Sequence, residues 1–423
     1  MKVLLIAPAW RKSTGNKTKT IFPPLHLATV AALTPPGVEV RILDESIEDI
    51  DFNARVDLVG ITALTALAPR AYAIADEFRA RGVPVVMGGM HASAMPEEAL
   101  KHVDAVVVGE AEGQWPQLLE DFQAGRMKNV YRTEKRPSLA GLPVPRRDLL
   151  ELDRYLIPHT VQTTRGCPFA CSFCAVSQFF GRTFRHRPVE EVIREVASLP
   201  GRIVGFVDDN IIASKKYARE LFRSLIPLRI HWFSQGSLDL ADDEELLGLA
   251  AKSGCVGMFI GFESLVQQNL EKIGKRVNRV ERFREAIKKI HRFGIAIEGA
   301  FIFGLDKDDP GVFKCTVNFA RRCRLEVAQF SILTPLPGTK LYREMQEQGR
   351  ITNRDWSQYN FARVVYEPLS MSAEKLQRGF EWAWRKFYSY PSILQRLGWW
   401  PRRHHGILWA INVQFRQRVW RYV

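Results

Sequence analysis

The sequence predicts an α/β protein built as two parallel-sheet units, a doubly wound sheet followed by a partial (β/α)6 barrel, with a helical C-terminal tail. Three observations carry this. Short runs such as Val3–Ala7 and Ala105–Val108 are apolar throughout and alternate with helical patterns, as strands buried on both faces do. From Thr160 onward, strand then helix recurs in units of roughly 30–40 residues, the spacing of right-handed βαβ crossovers. The chain has 423 residues, 46% of them hydrophobic, enough for two cores.

The first unit is expected over residues 1–135. Val3–Ala7, Val38–Leu43, Val56–Thr62, Val83–Met87 and Ala105–Val108 are its strands. Leu25–Leu33, Pro69–Arg81 and Trp115–Gln123 are its helices, the second starting at proline and stopping at Gly82. In such sheets ligands bind at the carboxyl ends of the strands. The turns there are Ala7–Pro24, Thr62–Thr65, Gly88–His91 and Gly109–Glu112, whose glycines allow close backbone approach and whose Thr62 and Thr65 offer hydroxyls. His26, on an apolar helix, is expected to be a packing histidine.

Residues 136–158, marked by Pro137, Pro143 and Pro145, form a linker. The second unit, residues 159–350, opens with strand Thr160–Thr164. Helices are expected at Pro188–Leu199, Tyr217–Leu225, Asp242–Lys252, Val280–Phe293 and Val312–Arg322. Strands are expected at Ile203–Val207, His231–Gln235, Gly257–Phe262, Ile297–Phe303 and Ala328–Leu333, followed by the turn Pro335–Thr339. Barrels of this kind place their chemistry at the carboxyl ends of the strands.

Between the first strand and first helix of this unit lies Arg165-Gly166-Cys167-Pro168-Phe169-Ala170-Cys171-Ser172-Phe173-Cys174. Cys167, Cys171 and Cys174 have C-x3-C-x2-C spacing, and three thiolates on one loop can hold three irons of a [4Fe–4S] cluster and leave one iron open. A structural zinc site would want four ligands, usually in two pairs, and no second pair exists here. The stretch resembles the signature of the radical S-adenosylmethionine (radical SAM) enzymes, in which SAM chelates the open iron. With the layout before it, including Gly88-Gly89-x-His91 and Gly109-Glu110-x-Glu112, the chain resembles the cobalamin-dependent class of that family over residues 1 to about 350.

The resemblance implies a Rossmann- or flavodoxin-like cobalamin domain and a radical SAM barrel, with a [4Fe–4S] cluster, SAM and cobalamin as cofactors. It assigns SAM contacts to Phe173, Asp208, Asp209, Gln235, Glu263, Ser264 and Ile302. Cobalamin contacts fall to Thr62, Thr65, Gly88, Gly89, Gly109, Glu110 and His91, the last as a loop residue lining the site. The D-x-H-x-x-G motif that brings histidine to cobalt in other cobalamin proteins is absent, which leaves cobalt's lower face unassigned. The implied reaction is reductive cleavage of SAM, hydrogen abstraction from substrate and methylation of an unactivated carbon. Cyclisation or C–C coupling without methyl transfer is an alternative, and a non-catalytic iron–sulfur redox sensor is another. An electron donor of flavodoxin or ferredoxin type is implied as partner.

Residues 351–423 form a basic, aromatic extension. Residues 374–423 carry ten Lys/Arg against two Glu, a surplus of +8 out of a net +14, and six of the ten tryptophans. Leu376, Phe380, Ala383, Trp384, Phe387 and Tyr388 recur at helical spacing. Leu408, Ile411, Phe415 and Val419 mark a second helix, Gly406–Tyr422. Such helices either close the barrel or meet an anionic membrane surface, where a lipid-like substrate would be found. Nucleic acid is not expected as a partner, because no RNA-binding module accompanies the basic surface. No apolar run of about 18 residues appears, and clustered thiols fit a reducing compartment, so a cytoplasmic protein is expected, peripheral to the membrane at most.

Overall fold

The computed structural model describes residues 1–10, 20–132, 134–398 and 405–422. Its first sheet contains β1 (Lys2–Ala7), β2 (Glu39–Asp44), β3 (Leu58–Thr62), β4 (Val85–Gly88), β5 (Ala105–Val108) and β6 (Val130–Arg132). All neighbours are parallel, in the order β2-β1-β3-β4-β5-β6. The winding reverses between β1 and β3, the switch point at which such sheets open a crevice. Helices α1 (Leu25–Ala32), α2 (Ala68–Ala80), α3 (Gly89–Ala94), α4 (Pro96–Ala99) and α5 (Gln114–Gln123) cover it. Alternate strand residues feed two cores. Leu5 packs with Leu27 and Trp115 on one face, and Leu4 with Tyr72 and Phe78 on the other. Strand β6 is absent from the sequence expectation. Only its central Tyr131 is buried, and a three-residue edge strand leaves no apolar run to detect.

The second sheet runs β14-β13-β12-β11-β10-β7, again all parallel and in simple sequential order. The chain reaches it through β7 (Thr160–Val161), β8 (Thr164–Arg165), α6 (Ala175–Phe179), β9 (Arg185–His186), α7 (Val189–Ser198) and β10 (Ile203–Phe206). It continues through α8 (Lys215–Leu225), β11 (His231–Gly236), α9 (Glu244–Lys252), β12 (Cys255–Glu263), α10 (Gln267–Lys272), α11 (Phe283–Arg292), β13 (Ala296–Phe303), α12 (Val312–Arg322) and β14 (Val327–Ile332). The single strand expected at Thr160–Thr164 divides in two. β8 leaves the sheet and pairs antiparallel with β9 instead.

Alternation along the strands separates an outer face from a lumen. Met258, Ile260 and Phe262 are buried, and Phe262 meets Phe283 of α11 and Phe319 of α12. Their alternates Phe259, Glu298 and Ala300 are partly accessible, and Gln235 and Gln329 are exposed. Gln235, Phe259 and Glu298 stand in register across three strands. Glu298 accepts a hydrogen bond from Gln329 Nε2 at 2.7 Å, and burial raises its pKa.

Four helices follow: α13 (Lys340–Glu347), α14 (Ala373–Phe387), α15 (Tyr390–Leu397) and α16 (His405–Tyr422). Leu376, Phe380, Ala383 and Phe387 of α14 join the barrel core, and the Tyr388 hydroxyl donates to Ala328 O at 2.7 Å. Arg396 belongs to the basic surplus, yet it is 1% exposed. Its guanidinium lies 3.8 Å from the Phe387 ring centre and donates to the carbonyls of Leu325 and Glu326. Burial lowers its pKa to about 10. Phe415 of α16 packs on Trp384 and Tyr388. Trp399, Trp400, Arg402 and Arg403 and the side chains of Arg418, Val419, Trp420 and Arg421 lie outside the described residues. Among those described, no helix is long and apolar enough to cross a membrane.

Candidate active site

The cysteine loop is held from three sides. Gly166 opens it at φ 87°, where a Cβ would sit 2.1 Å from Thr183 O, so only glycine fits. The Ser172 amide donates to Ile273 O at 2.9 Å, and Ser172 O accepts from the Leu341 amide at 2.9 Å. Gly274, at φ 80°, comes so close to the loop that a Cβ would lie 2.9 Å from Ala170 O. Cys171 is buried, and Cys167 and Cys174 are half-buried. Burial pushes all three thiols up, Cys171 to about 11, and neighbouring cysteines raise Cys167 and Cys171 further. Three sulfurs in mutual electrostatic contact, each costly to ionise alone, form a donor set that a bound cationic centre would stabilise as thiolates. Among the described residues no three His, Cys, Asp or Glu side chains converge on a point a single ion could fill. The C-x3-C-x2-C trio on one loop is a donor set that suits a polynuclear cluster, one iron per sulfur.

Lys275 is a site residue that the sequence reading missed. Its Nζ lies 3.1 Å from Glu263 Oε1. Burial opposes its charge, but Glu263 and the thiolates of Cys171 and Cys167 outweigh that and raise its pKa. No motif marks it; only the turn after α10 returns it to the loop. Glu263 ends β12 at φ 65°, a left-handed conformation unusual outside glycine. Its carboxylate points to Lys275 beside the cysteines, where a SAM ribose or amino acid group would meet a ready ion pair.

The other expected SAM contacts divide. Asp209 Oδ2 accepts from the Gly166 amide at 3.0 Å, which places it on the loop itself. Gln235 is exposed on the lumen side of β11, Ile302 is 9% exposed on β13, and Phe173 packs half-buried against the barrel core. Asp208 and Ser264 are both buried and engaged by the protein's own groups. Asp208 is fully buried, and its Oδ1 accepts from the amides and hydroxyls of both Thr163 and Thr164. It is the anchor that turns β8 out of the sheet, and burial pushes its pKa up to about 7. Ser264 is 3% exposed, and its Oγ accepts from the Val266 amide at 3.0 Å, a local turn bond before α10.

A cavity of about 360 Å³ opens at the carboxyl edge of the first sheet and is closed by the barrel. Thr62, Gly88, Gly89, Gly109 and Glu110 line it on one side, and Gln162, Arg165 and Val207 on the other. Gly89, at φ 93°, permits the tight start of α3, since a Cβ there would lie 2.7 Å from Thr62 Oγ1. A slot walled by Leu5, Leu27, Gly60 and Trp115 runs into the sheet. Gly60 keeps it open, as a Cβ there would stand 2.8 Å from Leu5 Cδ2. A glycine-edged mouth with an apolar slot fits a large cofactor that carries a tail.

Glu110 has a second role. Its carboxylate receives Arg165 at 2.8 Å and Arg185 at 2.7 Å, while Arg165 also meets Glu112 at 2.6 Å. This buried network joins the first sheet to the strands that frame the cysteine loop.

The two histidines depart from expectation in opposite directions. His91 is not a loop residue lining the cavity. It lies within α3, fully buried, with Nε2 3.0 Å from the Tyr72 hydroxyl. Its ring meets Trp356, whose indole N–H donates to Glu98 at 2.8 Å. Thr65 is also buried, in the turn before α2, away from the cavity wall. His26 is not a packing residue. Its neighbours Leu25, Leu27 and Ala28 are buried, while its own ring is exposed into the cavity.

Comparison with known proteins agrees with this geometry. The model of the radical SAM superfamily matches residues 161–320, and that of the B12 binding domain matches residues 11–119. The chain is 33% identical to bacteriochlorophyllide d C-12(1)-methyltransferase of Chlorobaculum tepidum, over 94% of this chain and 89% of that one. It is 32% identical to the C-8(2)-methyltransferase of the same organism, over 92% and 90%. The fold superposes on the radical S-adenosylmethionine methyltransferase TsrM from Kitasatospora setae, solved with cobalamin and a [4Fe–4S] cluster. The TM-score is 0.71 and the identity 19%, with 99% of each chain covered.

Proposed function

Because this chain belongs to the cobalamin-dependent radical SAM enzymes and is related to methyltransferases, we propose that it methylates an unactivated carbon of a bulky amphiphilic substrate. The observation that carries the reading is one cavity walled jointly by the carboxyl edge of the first sheet and by the barrel residues beside the cysteine loop. With cobalamin in this cavity and the cluster and SAM at the cysteine loop beside it, the cofactors would supply single-electron reduction, hydrogen abstraction and a transferable methyl group.

The chain's own residues do the rest. Cys167, Cys171 and Cys174 offer thiolates to the cluster, and Lys275 balances their charge. Glu263 and Asp209 present carboxylates at the loop for the polar end of SAM. Thr62, Gly88, Gly89 and Gly109 form the wall against which cobalamin would rest. In the lumen, Phe233, Phe259 and Ala300 offer apolar surface, with Gln235, Glu298 and Gln329 as hydrogen-bonding groups among them. That mix suits a largely apolar substrate with a few polar substituents. The relatives act on bacteriochlorophyllide d, so a chlorophyllide-type tetrapyrrole is the first substrate to try, and a lipid extract the second. A flavodoxin- or ferredoxin-type donor would deliver the electrons. Peripheral membrane contact would be confined to the exposed side of α16, since α14 is committed to the barrel core.

The test is anaerobic reconstitution with iron, sulfide, cobalamin, SAM and a reductant, followed by mass spectrometry. The expected result is 5′-deoxyadenosine together with a substrate that gains one CH₂. A product without added carbon would redirect the reading to cyclisation or coupling, and cleavage that survives in Cys171→Ala would remove its basis.

A further inference from the structure

His26 faces the cofactor cavity from the first turn of α1. Among the described residues, neither of its ring nitrogens has a hydrogen-bond partner. The apolar walls around it lower its pKa to about 4, although Asp44 nearby acts in the opposite direction. At neutral pH the ring is therefore an uncharged imidazole, the form that binds metals, and no described residue occupies its nitrogens.

The other strong donors on the cavity wall are already occupied. Glu110 and Glu112 are both paired with Arg165, and the wall contains no cysteine, methionine or second histidine. Asp44 is 8% exposed and is fixed by the Tyr155 hydroxyl at 3.0 Å and the Ser46 amide at 2.9 Å. Asp44 acts on the His26 ring through its charge alone and makes no hydrogen bond to it among the described residues.

We propose that His26 is the protein's nitrogen ligand to the lower face of cobalt. The inference rests on cobalamin occupying this cavity, and it assigns the face that the missing D-x-H-x-x-G motif leaves open. The coordinate bond forms by donation of the imidazole lone pair, with no change in oxidation state and no proton released. The cofactor's own benzimidazole is displaced from cobalt and left free to enter the apolar slot.

The test does not depend on turnover, so it separates from the methylation reading. The full chain is loaded with cobalamin, reduced to the cobalt(II) state and examined by electron paramagnetic resonance, with and without histidine labelled by ¹⁵N. The expected result is a nitrogen splitting that changes from triplet to doublet on labelling. A triplet that persists would show ligation by the cofactor's own base, and an unsplit spectrum would show no nitrogen ligand; either overturns the proposal. His26→Ala should keep cobalamin but lose the splitting, and added imidazole should restore it. If that variant fails to fold, the labelled wild-type spectrum decides alone.

Discussion

Replacing Glu110 with glutamine removes the carboxylate on which two guanidinium groups converge. Arg165 reaches it at 2.8 Å and Arg185 at 2.7 Å, and Glu110 and Arg165 are only 4% and 7% exposed. Removing one partner of a buried ion pair leaves a desolvated charge behind, at a typical cost of about 3–5 kcal/mol. Arg165 keeps Glu112 and the Gln162 side-chain oxygen, so the loss should sit near the lower end, about 3 kcal/mol or some two decades in the folding equilibrium. Urea denaturation of the cofactor-free chain measures it. A double-mutant cycle with Arg185→Met then isolates the Arg185 share. Because the network joins the first sheet to the cysteine loop, E110Q should also speed proteolysis within residues 134–146. A loss under about 1 kcal/mol would show that the charges are solvated without each other and that the network does not tie the first sheet to the loop strands.

Lys275→Met should lower the reduction potential of the bound cluster, on the order of tens of millivolts, since a cation beside it stabilises the reduced form. A redox titration showing no shift would place Lys275 too far from the cluster. Trp356→Ala removes a half-buried ring and the indole bond to Glu98, and should cost about 2–4 kcal/mol in urea unfolding. A near-wild-type midpoint would mean the contact is incidental. Burial pushes the Asp208 pKa up to about 7, from 3.8 for a free aspartate side chain. Between those values the folded state holds a proton that the unfolded chain has lost, so the stability it contributes is present in acid and is lost as pH rises through 7. Asp208→Asn should flatten that part of the stability profile, and an unchanged slope would locate the effect elsewhere.

What could be read from the chain was local. The cysteine trio is legible because eight residues of one loop contain it, and both parallel sheets because buried strands are continuous apolar runs. Lys275 was not legible, since its place beside the cysteines depends on how the turn after α10 comes back to the loop. The internal bonds of Asp208 were not legible either, because its place at a strand end says nothing of where its carboxylate points; two threonine amides and two hydroxyls donate to its Oδ1. The histidines misled for a geometric reason. Gly89 allows helix α3 to begin at once, so His91 turns inward. On α1 the apolar neighbours are buried, yet residue 26 falls on the stripe that faces the crevice.

The bond from Trp356 to Glu98 spans 258 positions of the chain. On a ribosome that makes the protein from its N-terminus, the first sheet emerges and can fold long before residue 356 exists. Until then the face of α2, α3 and α4 that carries Tyr72, His91 and Glu98 lacks its indole cover. The nascent first unit therefore waits with a polar, partly apolar face open, and such intermediates are prone to misassociation. Synthesis beyond Trp356 ends that exposure, so a chain truncated within the barrel should burden the cell's chaperones more than its lost mass alone would suggest.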